Sequence, residues 1–306
     1  MILIKGIISY FLLYCMKVVS MKINLLCNKG NNMKFDNIHN FNDVVGWSLR
    51  KAFRKRGIDC RLVMDKTLMT KHPPKADHSI AISGKALHIV QRRPECRKRL
   101  EEATTGRTAA FLDSDFGGWY QFFDHVFTVV KPKHKQPEYV YAGWGADPDF
   151  FYPEQKEKAL YLDSLDTMTM DKYEGRFTHV FDAYNSVMAK TDLTIYSPVP
   201  KYRGRKGVNW TGIQEIMRKC HFYCCTQWGE SGLTRIEAAT SGALLVVPTD
   251  IYRPRTMSSL EHRLWSTEEE LIDILSSETD VEAIREKALK HSWDKVVRRM
   301  LRAFEN

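Results

Sequence analysis

The sequence predicts an α/β fold of two domains in tandem, each a parallel sheet covered by helices. Three observations carry this expectation. Short apolar runs alternate with amphipathic helical stretches, polar glycine-bearing turns separate them, and the second half repeats the plan of the first. At 306 residues the chain is long enough for two such domains, each with its own core.

The elements follow in order from Met21. Residues 1–20 contain an apolar stretch, Gly6 to Met16, that is too short to span a bilayer and is followed by no small-residue cleavage site. They are read as a hydrophobic extension or a mis-assigned start. Lys22–Asn28 is an apolar run ending in a glycine-bearing polar loop, a strand feeding a turn. In the next helix Phe41, Val45, Leu49, Ala52 and Phe53 share one face, Arg50, Lys51, Arg54 and Lys55 take the other, and Gly57 stands where a C-terminal cap belongs. Strands are expected at Ile58–Met64, Ser79–Ile82, Thr108–Leu112 and His125–Val130, with a basic helix near Glu95–Ala103.

In the second half, strands are expected at Ala159–Leu162, Leu193–Tyr196, His221–Cys225 and Ala243–Val247, and helices at Arg176–Ala189 and Leu233–Ser241, the latter closed by Gly242. Two further helices are expected to open on capping boxes, Thr211-x-x-Gln214 and Ser266-x-x-Glu269. The tail from Val281 to Phe304 reads as one amphipathic stretch with Ile284, Leu289, Trp293, Val297 and Leu301 inward. The expected domains are 21–150 and 151–290, with 291–306 as a C-terminal helix that crosses back to the first.

Composition narrows the function classes. Apolar content of 43% and charged content of 27% are those of a folded chain, which excludes a disordered or low-complexity protein. Seven cysteines (Cys15, Cys27, Cys60, Cys96, Cys220, Cys224, Cys225) are odd in number and contain no C-x-x-C pair, which argues against a zinc site and a secreted disulfide framework. A reducing, cytoplasmic setting is the corresponding expectation, with peripheral attachment to a membrane as a variant. The net charge of +9 is clustered at Arg50–Arg56, Arg92–Arg99, Lys131–Lys135 and Lys201–Lys206. Such runs attract polyanions, DNA or anionic lipid, although each taken alone is an ordinary solvated face. Nothing points to an obligate protein partner.

Two stretches carry the chemistry. In the first, Trp228-Gly-Glu-Ser-Gly-Leu-Thr-Arg-Ile-Glu-Ala-Ala-Thr-Ser-Gly-Ala-Leu-Leu-Val-Val-Pro248, a strand ends near Cys225, a loop turns, and a helix starts near Leu233. Amides at a helix start hold phosphate, and a carboxylate one turn in, Glu237, can accept from a ribose diol. The stretch resembles the glutamate motif of the retaining GT-B glycosyltransferases, the group 1 or family 4-like C-terminal domain. Gly232-Leu233-Thr234, Glu237-Ala238 and Ser241-Gly242 match it. One loop residue is missing: Glu230 and Glu237 stand six residues apart, where the family has seven. The second stretch, Trp144-Gly-Ala-Asp-Pro-Asp-Phe-Phe-Tyr-Pro153, resembles the Gly-Val-Asp…Phe-x-Pro element at the domain crossing of the same families, with Ala146 for the usual Val. Asp-Pro and Tyr-Pro are also turn chemistry in their own right.

The resemblance implies two Rossmann-like domains with a cleft between them, and sugar transfer from a nucleotide-sugar donor to a hydroxyl acceptor. No cofactor or metal is implied, a nucleotide-sugar such as UDP-glucose being a co-substrate. Gly232, Leu233, Thr234 and Glu237 are the implied donor-binding residues, with Gly30 in the loop after the first strand. Lys172 and Arg176, at i,i+4, are candidates for a diphosphate clamp, with Arg205 and Lys206 competing. The catalytic candidates are Glu230 and the pair Asp113 and Asp115, which follow a first-domain strand where a general base would sit. That last placement is similar to the T-even phage DNA β-glucosyltransferase. Two acceptors therefore stand open, a saccharide or lipid-linked saccharide and a hydroxymethylated base in DNA. A nucleotide-sugar-binding protein without catalysis is the non-enzymatic alternative.

Overall fold

A computed structural model describes residues 21–28, 41–82, 84–112, 119–129, 131, 136–162, 178–197, 206–207, 212–226, 232–252 and 258–306. The chain divides into two compact units, Met1–Gly143 with Trp293–Asn306, and Trp144–Ser292.

The first unit is built on six strands: β1 (Lys22–Cys27), β2 (Asp59–Met64), β3 (His78–Ala81), β4 (Thr108–Leu112), β5 (His125–Thr128) and β6 (Tyr139–Tyr141). They lie in the order β2-β1-β3-β4-β5-β6, every neighbouring pair parallel. β1, β3 and β4 are buried on both faces at every position but Lys22, as a parallel sheet between helices requires. Helices α1 (Phe41–Lys55), α2 (Thr67–Thr70), α3 (Gly84–Arg92) and α4 (Pro94–Ala103) belong to this unit. On α1, Val45, Leu49, Ala52 and Phe53 are buried while Arg54 and Lys55 are exposed, the face expected from the spacing. Gly57 closes it in the left-handed region at φ 76°, with its N–H donating to Arg54 O and Ile58 N–H to Phe53 O.

The second unit holds β7 (Glu157–Leu162), β8 (Thr194–Ser197), β9 (Lys206–Gly207), β10 (Cys220–Cys224), β11 (Leu244–Pro248) and β12 (His262–Trp265). These strands are also all parallel, in the order β12-β11-β10-β7-β8-β9. Read from β9, the order within the unit is 3-2-1-4-5-6, the doubly wound arrangement in which the winding reverses between β7 and β10. Its helices are α5 (Thr178–Lys190), α6 (Ile213–Lys219), α7 (Leu233–Thr240), α8 (Glu268–Ser276) and α9 (Val281–Ala288). A last helix, α10 (Trp293–Glu305), belongs to the first unit.

Several local expectations are corrected. The Thr211-x-x-Gln214 box does not open α6: Gly212 is its N-cap, without a side-chain bond, and Thr211 lies outside the described residues. The second box forms one residue later than expected, on Thr267 and Glu270. Glu270 N–H donates to Thr267 Oγ1 at 3.2 Å, and Glu270 Oε2 accepts from the amides of Ser266 (2.6 Å) and Thr267 (3.3 Å). Threonine takes the cap because Glu270, three residues on, reaches back to both amides. The amphipathic tail is carried by two helices, Val281–Ala288 and Trp293–Glu305. Ile284, Trp293 and Val297 are buried as expected, but Leu289, beyond the end of α9, is 39% exposed and Leu301 is half-buried. Within the first unit α10 is fixed by Arg56–Asp294 at 2.7 Å, by Arg299 Nη1 donating to Ala142 O at 2.8 Å, and by Phe304 stacked on His78 at 4.1 Å.

Candidate functional site

In an open parallel sheet, ligands bind beyond the strand C-termini where the winding reverses. In the second unit that point lies at the ends of β7 and β10. β10 is followed by the buried Thr226, and α7 starts at Leu233 with Gly232 as its N-cap. The N-cap, a glycine, has no side chain to cap this helix start, and the first amides of a helix have no intrahelical acceptor. Gly232 also lies against the Arg235 side chain: a Cβ there would stand 3.1 Å from Arg235 Cγ and Cδ. Leu233 is buried and Thr234 is half-buried.

Glu237 lies one turn into α7 and is only 3% exposed. Its Oε2 is buried and has no hydrogen-bond partner among the described residues. Burial alone pushes its carboxyl up to about 8. A buried carboxyl without a partner is costly and uncommon in a folded protein, and such groups cluster at functional sites.

The helix that carries it is held at its C-terminal end. Gly242, at φ 79°, ends it with Gly242 N–H donating to Ala239 O at 2.9 Å and Ala243 N–H to Ala238 O at 3.0 Å. Lys156 Nζ donates to Ser241 O at 2.6 Å and to Cys220 O at 2.9 Å, tying the helix end to the start of β10. Tyr184, fully buried on α5, reaches Cys225 O (3.1 Å) and Val246 O (3.3 Å) and accepts from Trp265 Nε1 (3.3 Å). Tyr184 thereby ties the chain just after β10 to β11 and Trp265 of β12.

Four predicted site residues, Gly232, Leu233, Thr234 and Glu237, are brought together at the start of α7. Gly30, Asp113, Asp115, Lys172, Arg176, Arg205 and Glu230 lie outside the described residues. Lys206 opens β9, opposite Tyr196 of β8. Arg235, buried at 4% exposure in the same helix, was not singled out as a site residue from the sequence; an arginine among apolar helix positions was the available signal. Among the described residues no group of three His, Cys, Asp or Glu could hold a metal, and no helix is long and apolar enough to cross a membrane. The six described cysteines are buried and unbridged.

The second motif forms a compact turn. Asp147 Oδ1 accepts from Asp149 N–H at 3.1 Å, and Asp147 O accepts from the amides of Phe150 and Phe151. Arg218 packs over Tyr152 at 3.9 Å and donates to Phe150 O at 2.8 Å, binding this turn to α6. Several cations of the first-half runs are also engaged within the chain. Arg54 donates to Cys60 O, Arg56 pairs with Asp294, Arg99 donates to Leu68 O and Met69 O, and Arg97 and Lys98 pair with Glu101 and Glu102.

No protein-family model and no curated protein matches the sequence. Solved structures do match in fold. The glycosyltransferase AviGT4 of avilamycin A biosynthesis superposes with a TM-score of 0.58 at 12% identity, over 93% of this chain and 97% of that one. HepE of Anabaena, solved with UDP and glucose, gives 0.58 at 12% identity over 94% and 100%. A protein of Listeria monocytogenes provisionally named as a UDP-N-acetylglucosamine 2-epimerase gives 0.54 at 11% identity over 93% and 96%. The chain therefore has the two-unit α/β fold of the GT-B kind.

Proposed function

We propose that the protein is a nucleotide-sugar-dependent glycosyltransferase that holds its donor nucleotide in the second unit and transfers the sugar to a saccharide or lipid-linked saccharide. The observation that carries this reading is Glu237, a buried carboxyl whose Oε2 has no partner among the described residues, one turn inside a helix that starts on a glycine N-cap after β10, where the sheet winding reverses. A ribose diol supplies two hydroxyl donors for that carboxylate, and the amides at Gly232–Thr234 suit the diphosphate. UDP is the nucleotide in the HepE structure, so a UDP-sugar is the first donor to test. Lys172 and Arg176 are the proposed diphosphate clamp, Gly30 a further donor-side residue, and Asp113, Asp115 and Glu230 the proposed catalytic carboxylates. Arg56, Arg97 and Lys98 pair with carboxylates of the chain, which offsets part of the positive charge that would grip DNA and makes the saccharide acceptor the first reading to test.

The test is a panel of UDP-, GDP- and ADP-sugars with the full chain, scored for transfer to saccharide acceptors, transfer to hydroxymethylated DNA, and donor epimerisation. Transfer to a saccharide, lost in Glu237→Ala while the protein stays folded, is the expected result. Transfer into DNA would replace the acceptor reading. Epimerisation without transfer would replace the reaction, and the fold shared with the Listeria protein makes that arm necessary. Nucleotide binding without turnover of any donor would leave a binding protein.

A further inference from the structure

Glu237 does not stand alone on its helix. Thr240 and Ser241, three and four residues further on, are 1% and 0% exposed. Thr240 Oγ1 and Ser241 Oγ, like Glu237 Oε2, are buried with no hydrogen-bond partner among the described residues. Positions i, i+3 and i+4 share one helix face, and side chains lean toward the helix N-terminus, so both hydroxyls project over the turn that carries Glu237. Neither hydroxyl turns back onto a helix carbonyl, the usual fate of Ser and Thr within a helix. Buried polar atoms that lack protein partners are met by ordered water or by ligand.

We propose that Glu237, Thr240 and Ser241 form one polar pocket that holds ordered water behind the carboxylate, and that Thr240 and Ser241 are positioning residues which keep Glu237 ionisable for a nucleotide diol. α7 leads from β10 to β11, so Thr240 and Ser241 lie further along it from the helix start than Glu237. A hydroxyl or water donating to the carboxylate favours its charged form and opposes the effect of burial. The charged groups around this helix have other partners. Lys156 bonds Ser241 O, Arg285 of α9 approaches Thr240 O at 3.5 Å, and Arg218 of α6 bonds Phe150 O. Those groups, together with Tyr223 and Cys224 of β10 and Arg235, are absent from the causes of the Glu237 shift, which burial alone supplies.

The inference rests on the donor-site reading but is read first without nucleotide. Carboxyl carbon resonances of glutamate-labelled full-length protein, assigned with Glu237→Gln, give the ionisation midpoint of Glu237 in wild type, Thr240→Val, Ser241→Ala and the double variant. The midpoint is expected to rise by about one pH unit in the double variant and to stay put in Thr240→Ser, which keeps the hydroxyl. If the double variant does not fold, Thr240→Val alone gives the same reading. An unchanged midpoint in the hydroxyl-less variants overturns the pocket. Calorimetric titration with UDP, GDP and ADP from pH 6 to 9 then reads its use: the variants should bind about tenfold more weakly at neutral pH and recover at pH 9. A moved midpoint in a protein that binds no nucleotide would keep the pocket and sink the donor reading. Nucleotide binding with an unmoved midpoint would do the reverse.

Discussion

At the residue scale, Glu237 was legible and its surroundings were not. Spacing after Gly232 marked it as a ligand-facing carboxylate, but nothing in the sequence says that the helix is packed on nearly every side, with seven of its eight residues buried. Thr240 and Ser241 read only as small residues before a capping glycine, because their lack of partners is a property of packing. Burial of Glu237 has a measurable consequence. Its folded value, about 8, lies above the ordinary 4.5, so the native state keeps a proton that the unfolded chain has released across that window. The stabilisation is fully present below 4.5 and is lost as pH rises through the folded value. Thermal melts from pH 5 to 8 should therefore show wild type losing stability relative to Glu237→Gln as pH rises; parallel profiles would contradict the burial. Lys156, pushed down to about 8 by burial, has the opposite linkage, acting above that pH and outside the measured range.

At the element scale, pattern mattered more than length. The α1 stripe and its Gly57 cap follow from spacing, as do β1, β4 and β10, and the four-residue β3, β5 and β8 are also expected from their apolar runs. β6, β9 and β12, of two to four residues, and the nine-residue α3 are not among the expected elements, since their pairing and packing are set by distant parts of the chain. The second capping box was recognised in kind but not in register, because neighbouring Ser266 and Thr267 each have a glutamate three residues on. The observed cap predicts that Thr267→Ala costs about 1 kcal/mol in urea denaturation. Ser266→Ala, which loses an exposed contact with Thr249 Oγ1 at 2.8 Å, should cost less; the reverse ranking would restore the original register. Gly242→Ala should be more severe. It places a side chain at φ 79° and a Cβ 2.5 Å from Val281 Cγ1, so the loss should exceed the roughly 1–2 kcal/mol of the left-handed backbone alone. A neutral result would show that α7 and α9 can separate at no cost.

At the scale of the whole molecule, the alternation of strands and helices was enough for the fold class, and connection rules made both sheets parallel. Strand order was not readable, yet it carries the functional argument: the reversal between β7 and β10 identifies which strand ends of the second unit border a ligand. The measurement that tests this most directly is calorimetric binding of UDP, GDP and ADP to wild type and to Glu237→Ala at neutral pH. The account predicts that at least one nucleotide binds and that the substitution weakens it about 10- to 100-fold. A folded wild-type protein that binds none of the three, or equal affinity in the variant, would contradict it.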